Sequence, residues 1–378
     1  MQHAGVYIHI PFCRARCSYC DFATGMYEGD LADRYVRAVV KEIAHWREIE
    51  SALDVDTIYF GGGTPSLLNA EEISRLLESI HSRFCVAFLP EITIEINPGE
   101  LDLSKLRVFH DLGINRTSFG AQTFDDRQLR QLGRTHNSED IGRTFQHLRE
   151  AGFENINFDL IAGLPGQTLA AWGRNLDEAL ALRPQHLSLY LLDVHEGTPL
   201  ADQISRGAQP KPDDDLAAEM YRLMVERVCG AGYEHYEISN FCLPGFESRH
   251  NSKYWNGAPY YGFGCSAHSY DGARRRWANE RDTAKYVSLI ENERSPIVER
   301  TNLTADKARS ESLFLGLRLM KGVDLTEYRA RFGTDLCDQF QDDLTRMREA
   351  GLIEFDEQLL RLTTRGALLS NEVLATFV

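Results

Sequence analysis

The stretch Tyr7-Ile-His-Ile-Pro-Phe-Cys13-Arg-Ala-Arg-Cys17-Ser-Tyr19-Cys20-Asp-Phe22 governs the reading of this chain. A short apolar run, Val6–Ile10, leads directly into three cysteines spaced CxxxCxxC. The other five, Cys85, Cys229, Cys242, Cys265 and Cys337, are scattered and read as small, mostly buried apolar residues. No apolar run approaches the ~20 residues needed to cross a bilayer. Residues 1–10 hold no Lys- or Arg-led apolar segment, so export is not expected and a cytoplasmic setting is. In a reducing compartment, closely spaced thiols are read first as metal ligands or reactive groups.

Downstream of the cysteines, short β-rich runs alternate with amphipathic stretches. The strands expected are Val6–Ile10, Thr57–Phe60, Glu91–Ile96, Arg116–Gly120, Ile156–Ile161 and His186–Leu191. Between them, Glu71–Ile80 places Ile73, Leu76, Leu77 and Ile80 at helical spacing, and Asp140–Glu150 places Ile141, Phe145 and Leu148 likewise. The alternation predicts an α/β fold with a parallel sheet built from right-handed crossovers. Six units are two short of a closed eightfold barrel, so a partial (β/α)6 barrel is expected. In Glu91–Ile96 and Asn155–Ile161 the apolar residues share one face and Glu, Thr, Asn and Asp the other. Strands buried on both faces usually lack such a polar face. It predicts a wet, ligand-holding interior.

The repeat fades after about residue 200. Three regions follow: 1–206 as the partial barrel, 216–300 as a barrel-completing, ligand-binding region, and 303–378 as a smaller C-terminal α+β module. Gly207–Asp215 is turn-rich and acidic, a plausible linker. Helices are expected at Leu216–Cys229, Ser310–Leu319 and Cys337–Ala350, then a hairpin of Leu352–Glu354 and Leu359–Leu362, which together suggest a winged helix. The chain's net charge is −15, from 41 Lys/Arg against 56 Asp/Glu, and residues 305–378 hold 10 against 13. That balance repels phosphate backbones and argues against nucleic acid as partner. A composition of 43% hydrophobic and 26% charged residues excludes a disordered or fibrous chain.

Three thiolates on one short loop suit three irons of a [4Fe–4S] cubane, leaving the fourth open. Zinc is the competing reading, but a structural zinc site wants four ligands and no second cysteine pair exists. Arg14 and Arg16 would offset part of the cluster's negative charge. Gly61-Gly62-Gly63-Thr64-Pro65 follows the second strand, where missing Cβ atoms let backbone approach a ligand; a plain strand-ending turn is the alternative. Glu95, Gln122 and Asp159 fall on or just after successive strands, on the end of the sheet where parallel α/β folds place their sites.

At these residues the chain resembles the radical S-adenosylmethionine (SAM) superfamily, whose hallmark is a CxxxCxxC loop after the first strand of a six-unit partial barrel. The resemblance implies that Cys13, Cys17 and Cys20 hold a [4Fe–4S] cluster whose open iron takes SAM. The order Tyr-Ile-His-Ile-Pro-Phe-Cys, Gly-Gly-Gly-Thr-Pro, Glu95-Ile-Asn-Pro, Phe-Gly-Ala-Gln-Thr-Phe, Leu-Gly-Arg134-Thr-His and Asp159-Leu-Ile-Ala-Gly-Leu-Pro is similar to one branch. That branch holds oxygen-independent coproporphyrinogen III dehydrogenases, which are porphyrin-biosynthesis enzymes, and related heme chaperones. By resemblance, Tyr7, Gly62 and Glu95 contact the cluster-bound SAM. Tyr19, Gly63, Thr64, Gln122, Arg134 and Asp159 match positions lining a second SAM in the dehydrogenases.

Three features set the relatives apart. The dehydrogenases carry a fourth cysteine where Phe22 stands, and a long segment before the first strand. Arg249-His250-Asn-Ser-Lys-Tyr254-Trp255 resembles the HNxxYW signature of the chaperones. His250 is a candidate iron ligand, and Tyr254 and Trp255 offer flat apolar surface to a macrocycle. The expectation is therefore a heme chaperone, using a cluster, SAM and an electron donor, and delivering heme to acceptor hemoproteins, membrane cytochromes among the candidates. A coproporphyrinogen-decarboxylating enzyme is the alternative, so enzymatic turnover stays open. A pure interaction protein docking through its C-terminal module is a third class.

Overall fold

The computed structural model describes residues 3–47 and 54–377, without the side chains of 337 and 338. Its centre is six parallel strands in chain order: β1 (Ala4–Ile10), β2 (Val55–Gly62), β3 (Val86–Ile96), β4 (Arg116–Gln122), β5 (Asn155–Ala162) and β6 (His186–Leu191). These are the six expected, several of them longer than their apolar runs. One face of each strand is apolar and fully buried, as with Val6 and Ile8, Ile58 and Phe60, Phe158 and Leu160. Helices pack on that face. In Ala70–Arg83 the stripe Ile73, Leu76, Leu77 and Ile80 is buried, and Asn69 with Glu72 forms a capping box that starts the helix.

The opposite face carries the polar alternates, but the lower part of the interior is not wet. Arg116, Asn157 and His186 are almost wholly buried there. Asn157 Nδ2 donates to Ser118 Oγ at 2.9 Å, and its Oδ1 accepts from His186 Nδ1 at 2.6 Å and Ser188 Oγ at 3.2 Å. Burial holds the His186 imidazole far below its usual pKa, so Nδ1 is the protonated nitrogen. A hydrogen-bonded polar core fills these rungs. Only the upper rungs, at the carboxyl ends of the strands, open to a cavity.

The sheet continues past residue 200. β7 (Glu234–Glu237) and β8 (Asn240–Cys242) extend it beside β6, with β8 antiparallel to it. At the other edge β9 (Tyr260–Phe263) runs parallel to β1, followed by antiparallel β10 (His268–Tyr270), β11 (Arg275–Asn279) and β12 (Ile297–Asn302). Twelve described strands thus form one sheet. The acidic end of Gly207–Asp215 is not linker: Asp213 caps the helix Asp214–Gly230 by accepting from Leu216 N, and that helix packs on Leu169–Leu182 and the neighbouring strands.

After Thr304, which caps the helix Ala305–Gly316, comes the C-terminal module. A hairpin of Ile353–Phe355 and Leu359–Leu362, joined by Val323–Asp324, makes a three-stranded sheet beside the helices Leu325–Phe332 and Leu336–Glu349. This agrees with the winged-helix expectation. The scattered cysteines divide: Cys242 and Cys265 are buried as expected, while Cys85 and Cys229 are exposed. Cys337 lies outside the described side chains. No described helix is long and apolar enough to cross a membrane.

Candidate functional site

β1 ends at Ile10, and the loop that follows carries the three cysteines across the carboxyl ends of the strands. It is pinned at both sides. Phe12–Cys13 pairs with Gly25–Met26, and Ser18 N donates to Leu132 O at 2.9 Å. The glycine loop after β2 packs against it: Gly63 N donates to Ile10 O at 2.8 Å and Thr64 N to Phe12 O at 2.7 Å. Gly62 holds φ +113°, where side chains are strained. At Gly63 a Cβ would lie 2.6 Å from Phe12 O and 3.0 Å from Cys13 Sγ. Glycine here is a condition of contact between the two loops.

Cys13, Cys17, Cys20, Tyr19, Gly62, Gly63, Thr64, Glu95, Gln122, Arg134 and Asp159 border one cavity of about 390 Å3. Burial pushes the Cys13 thiol up to about 11 and raises Cys20 as well, so a bound metal must displace protons to take them as thiolates. Among the described residues no three His, Cys, Asp or Glu close round a single metal ion. Three thiols bordering a common cavity without doing so fit separate irons of one cluster better than one zinc.

Cationic support comes from Arg134: Nη1 donates to Cys17 Sγ at 3.3 Å, and Nη2 to Asn97 Oδ1 and Gly120 O, both at 2.7 Å. Of the two arginines in the loop, Arg16 borders the cavity and donates to Cys20 O, while Arg14 does not border it.

Glu95 accepts from Tyr59 OH at 2.9 Å and from Gly62 N at 3.0 Å. Burial, with a smaller push from Asp159, raises its carboxyl to about 7. Asp159, also raised by burial, accepts from Asn157 Nδ2 at 2.8 Å and Ser118 Oγ at 3.2 Å. With its carboxyl raised to about 7, Glu95 suits an incoming ammonium, which would restore its full ionisation. Gln122 sits at φ +65° beside a break in β4–β5 pairing, which turns it to the cavity. The motif reading missed Tyr59, Asn97, Ser118, Ser188 and Tyr190, all of which border this cavity. Inward alternation along the strands is the signal that locates most of them.

Four expected residues stand apart from the cavity. Tyr7 lies beneath it, stacked on Tyr59 at 6.1 Å with its hydroxyl 3.1 Å from His9 Nδ1. His250, on the helix Arg249–Trp255, forms the floor under Tyr59, 5.1 Å between rings. It is 1% exposed. Its Nδ1 meets Thr57 Oγ1 at 2.9 Å and its Nε2 meets Tyr254 OH at 3.0 Å. Burial holds the ring neutral, down to about 3. Both nitrogens are engaged, so His250 is not an open iron ligand in this conformation. Tyr254 packs edge-on against it at 5.4 Å, and Trp255 borders a different cleft.

Fold and cysteine loop together define a radical SAM protein, and residues 7–179 match the family model described as the radical SAM superfamily. Residues 303–369 match that of the HemN C-terminal domain. A protein named heme chaperone HemW from Bacillus subtilis (strain 168) is 37% identical over 373 residues, 98% of either chain. The HemW of Escherichia coli (strain K12) is 32% identical over 99% of this chain and 97% of its own. Within the superfamily, then, the chain belongs to the HemW family. The structure titled coproporphyrinogen III oxidase (HemN) from Escherichia coli superposes with a TM-score of 0.86 at 26% identity, covering 100% of this chain and 90% of that one.

Proposed function

We propose that this chain is a cytoplasmic heme chaperone that holds a [4Fe–4S] cluster and SAM, binds heme, and delivers it to acceptor hemoproteins with an electron donor serving the cluster. The observation that carries the cofactor part is the convergence of Cys13, Cys17 and Cys20 with Gly62, Gly63 and Glu95 on one cavity. The heme part rests on the kinship with proteins named heme chaperones.

When bound, the cluster supplies one-electron reduction of SAM held on its open iron. Around it, Gly62 and Gly63 bring backbone close, Glu95 takes the amino end of SAM, and Arg134 offsets thiolate charge at Cys17. His250 itself reaches heme iron only if its Nε2 exchanges its Tyr254 partner for the metal.

A second reading, coproporphyrinogen decarboxylation, draws on Tyr19, Gly63, Thr64, Gln122, Arg134 and Asp159, which match second-SAM positions and border the same cavity. Phe22, 63% exposed where the dehydrogenases carry a further cysteine, counts against it.

The test is anaerobic cluster reconstitution followed by heme titration, beside a coproporphyrinogen turnover assay. Stoichiometric heme binding without decarboxylation is expected. Many turnovers per protein would overturn the chaperone reading, and cluster absorption surviving in Cys13→Ala would overturn the ligand assignment.

A further inference from the structure

A second large cavity, about 440 Å3, lies where the end of the HNxxYW helix and strands β10 and β11 meet the C-terminal module. We propose that this cleft is the porphyrin seat, taking a flat iron macrocycle between its aromatic walls and the two propionates on Lys321, Arg331 and the Tyr328 hydroxyl. The proposal rests on the heme reading above and gives that reading a location.

The size falls within the range of about 300–1,000 Å3 typical of small-ligand pockets. Trp255, Tyr270, Tyr328 and Phe332 supply aromatic surface, with Leu315 and Leu359 beside them. Such walls suit the apolar faces of a porphyrin. The cleft also carries cations placed for carboxylates. Lys321 and Arg331 are exposed and have no carboxylate partner among the described residues, and the Arg331 guanidinium lies 5.1 Å from the Phe332 ring. Tyr328 is 4% exposed, yet its hydroxyl has no hydrogen-bond partner among the described residues. A buried hydroxyl left so costs free energy that a ligand oxygen would recover.

Acidic residues border the cleft too, but two are engaged elsewhere. Glu311 accepts from Arg276 Nη2 at 2.7 Å, and Asp324 Oδ1 accepts from Thr326 N and Glu327 N. Glu327 is the remaining acid, on the helix that also bears Tyr328 and Arg331. The cysteine-bordered cavity is assigned to the cluster and SAM, and His250 is closed off beneath it. Trp255 is the residue of the HNxxYW signature that reaches the second cleft, with the Arg318 guanidinium over its ring at 4.4 Å.

The experiment titrates the full chain with hemin and with hemin dimethyl ester, whose propionates are uncharged, following the Soret band and tryptophan quenching. The double variant K321E/R331E is compared with wild type, and its urea midpoint confirms folding, since both side chains are exposed. Loss of the carboxylate contacts is expected to weaken hemin binding about tenfold or more in the variant. The ester should bind wild type equally weakly and be indifferent to the substitutions, which is the coupling a direct contact requires. If hemin binds wild type tightly but the variant within twofold of it, or the ester binds as well as hemin, this seat is wrong while the heme reading stands. If wild type binds no hemin, the heme reading itself fails.

Discussion

At the scale of single residues, the glycine loop makes a sharp demand. A methyl at Gly63 meets backbone oxygen and Cys13 sulfur on a segment already held by two main-chain hydrogen bonds. Neither loop can yield without moving the cysteines. Gly63→Ala is expected to cost about 1–3 kcal/mol and to abolish cluster reconstitution. Gly142→Ala, where a Cβ meets nothing within 4 Å on a helix, is the control and should stabilise slightly. Cluster absorption and urea midpoints report both.

A second residue-scale prediction concerns Glu42, which no motif singles out. It is buried and accepts from Tyr286 OH, Gly264 N and Asn279 Nδ2, yet burial outweighs these donors and raises its carboxyl from 4.5 to about 7. The folded state therefore binds the proton more tightly than the unfolded one. Stability from this group is complete below about pH 4.5 and is lost as pH rises towards 7, in all by about 3 kcal/mol. Glu42→Gln should remove that decline while lowering stability at pH 5, because its amide NH2 faces donors. Thermal melting from pH 5 to 8, read as the difference from wild type, checks the sign; an equal slope in the variant would refute it.

Among elements, the floor helix shows what a sequence reading reaches and what it does not. The segment stands out as His250-Asn-Ser-Lys-Tyr254-Trp255, but its burial depends on Glu91, far away on β3. That carboxylate accepts from Arg249 N at 3.1 Å and His250 N at 2.9 Å, seating the helix under the strands. Read alone, Glu91 was simply one of the polar alternates of a strand. In the same way Glu95 and Asp159 were legible from their place near strand ends, whereas Arg134 against Cys17 required two loops to meet. Periodicity reports which way a side chain faces, not which distant partner it finds. Glu91→Ala leaves the buried His250 N–H and the part-buried Arg249 N–H unsatisfied and is expected to cost about 2–4 kcal/mol. Altered Trp255 fluorescence should accompany it, and an unchanged spectrum with unchanged stability would show the helix is held by packing alone.

The six-strand barrel was foreseeable because each unit is local, with one strand followed by one helix. The join to the C-terminal module was not, since it depends on a carboxylate and a guanidinium that only the finished fold brings together. Glu237, fully buried on β7, accepts from Arg318 Nη2 at 2.6 Å and from Ser239 N and Asn240 Nδ2. Arg318 follows the helix Ala305–Gly316, and Leu319 bridges Glu237 in the main chain. Arg318 thus ties the sheet edge to the module while its guanidinium covers Trp255. Removing one partner of a buried pair leaves the other charge uncompensated, at about 3–5 kcal/mol. Arg318→Ala should therefore shift the urea midpoint strongly. Arg318→Lys should recover only part, because an ammonium cannot both reach the carboxylate and lie flat on the indole. The double variant Arg318→Ala, Glu237→Gln should be more stable than Arg318→Ala alone, since the stranded charge is gone. If it is not, the ion pair is incidental, and apolar packing of Leu313 and Leu317 holds the module to the sheet.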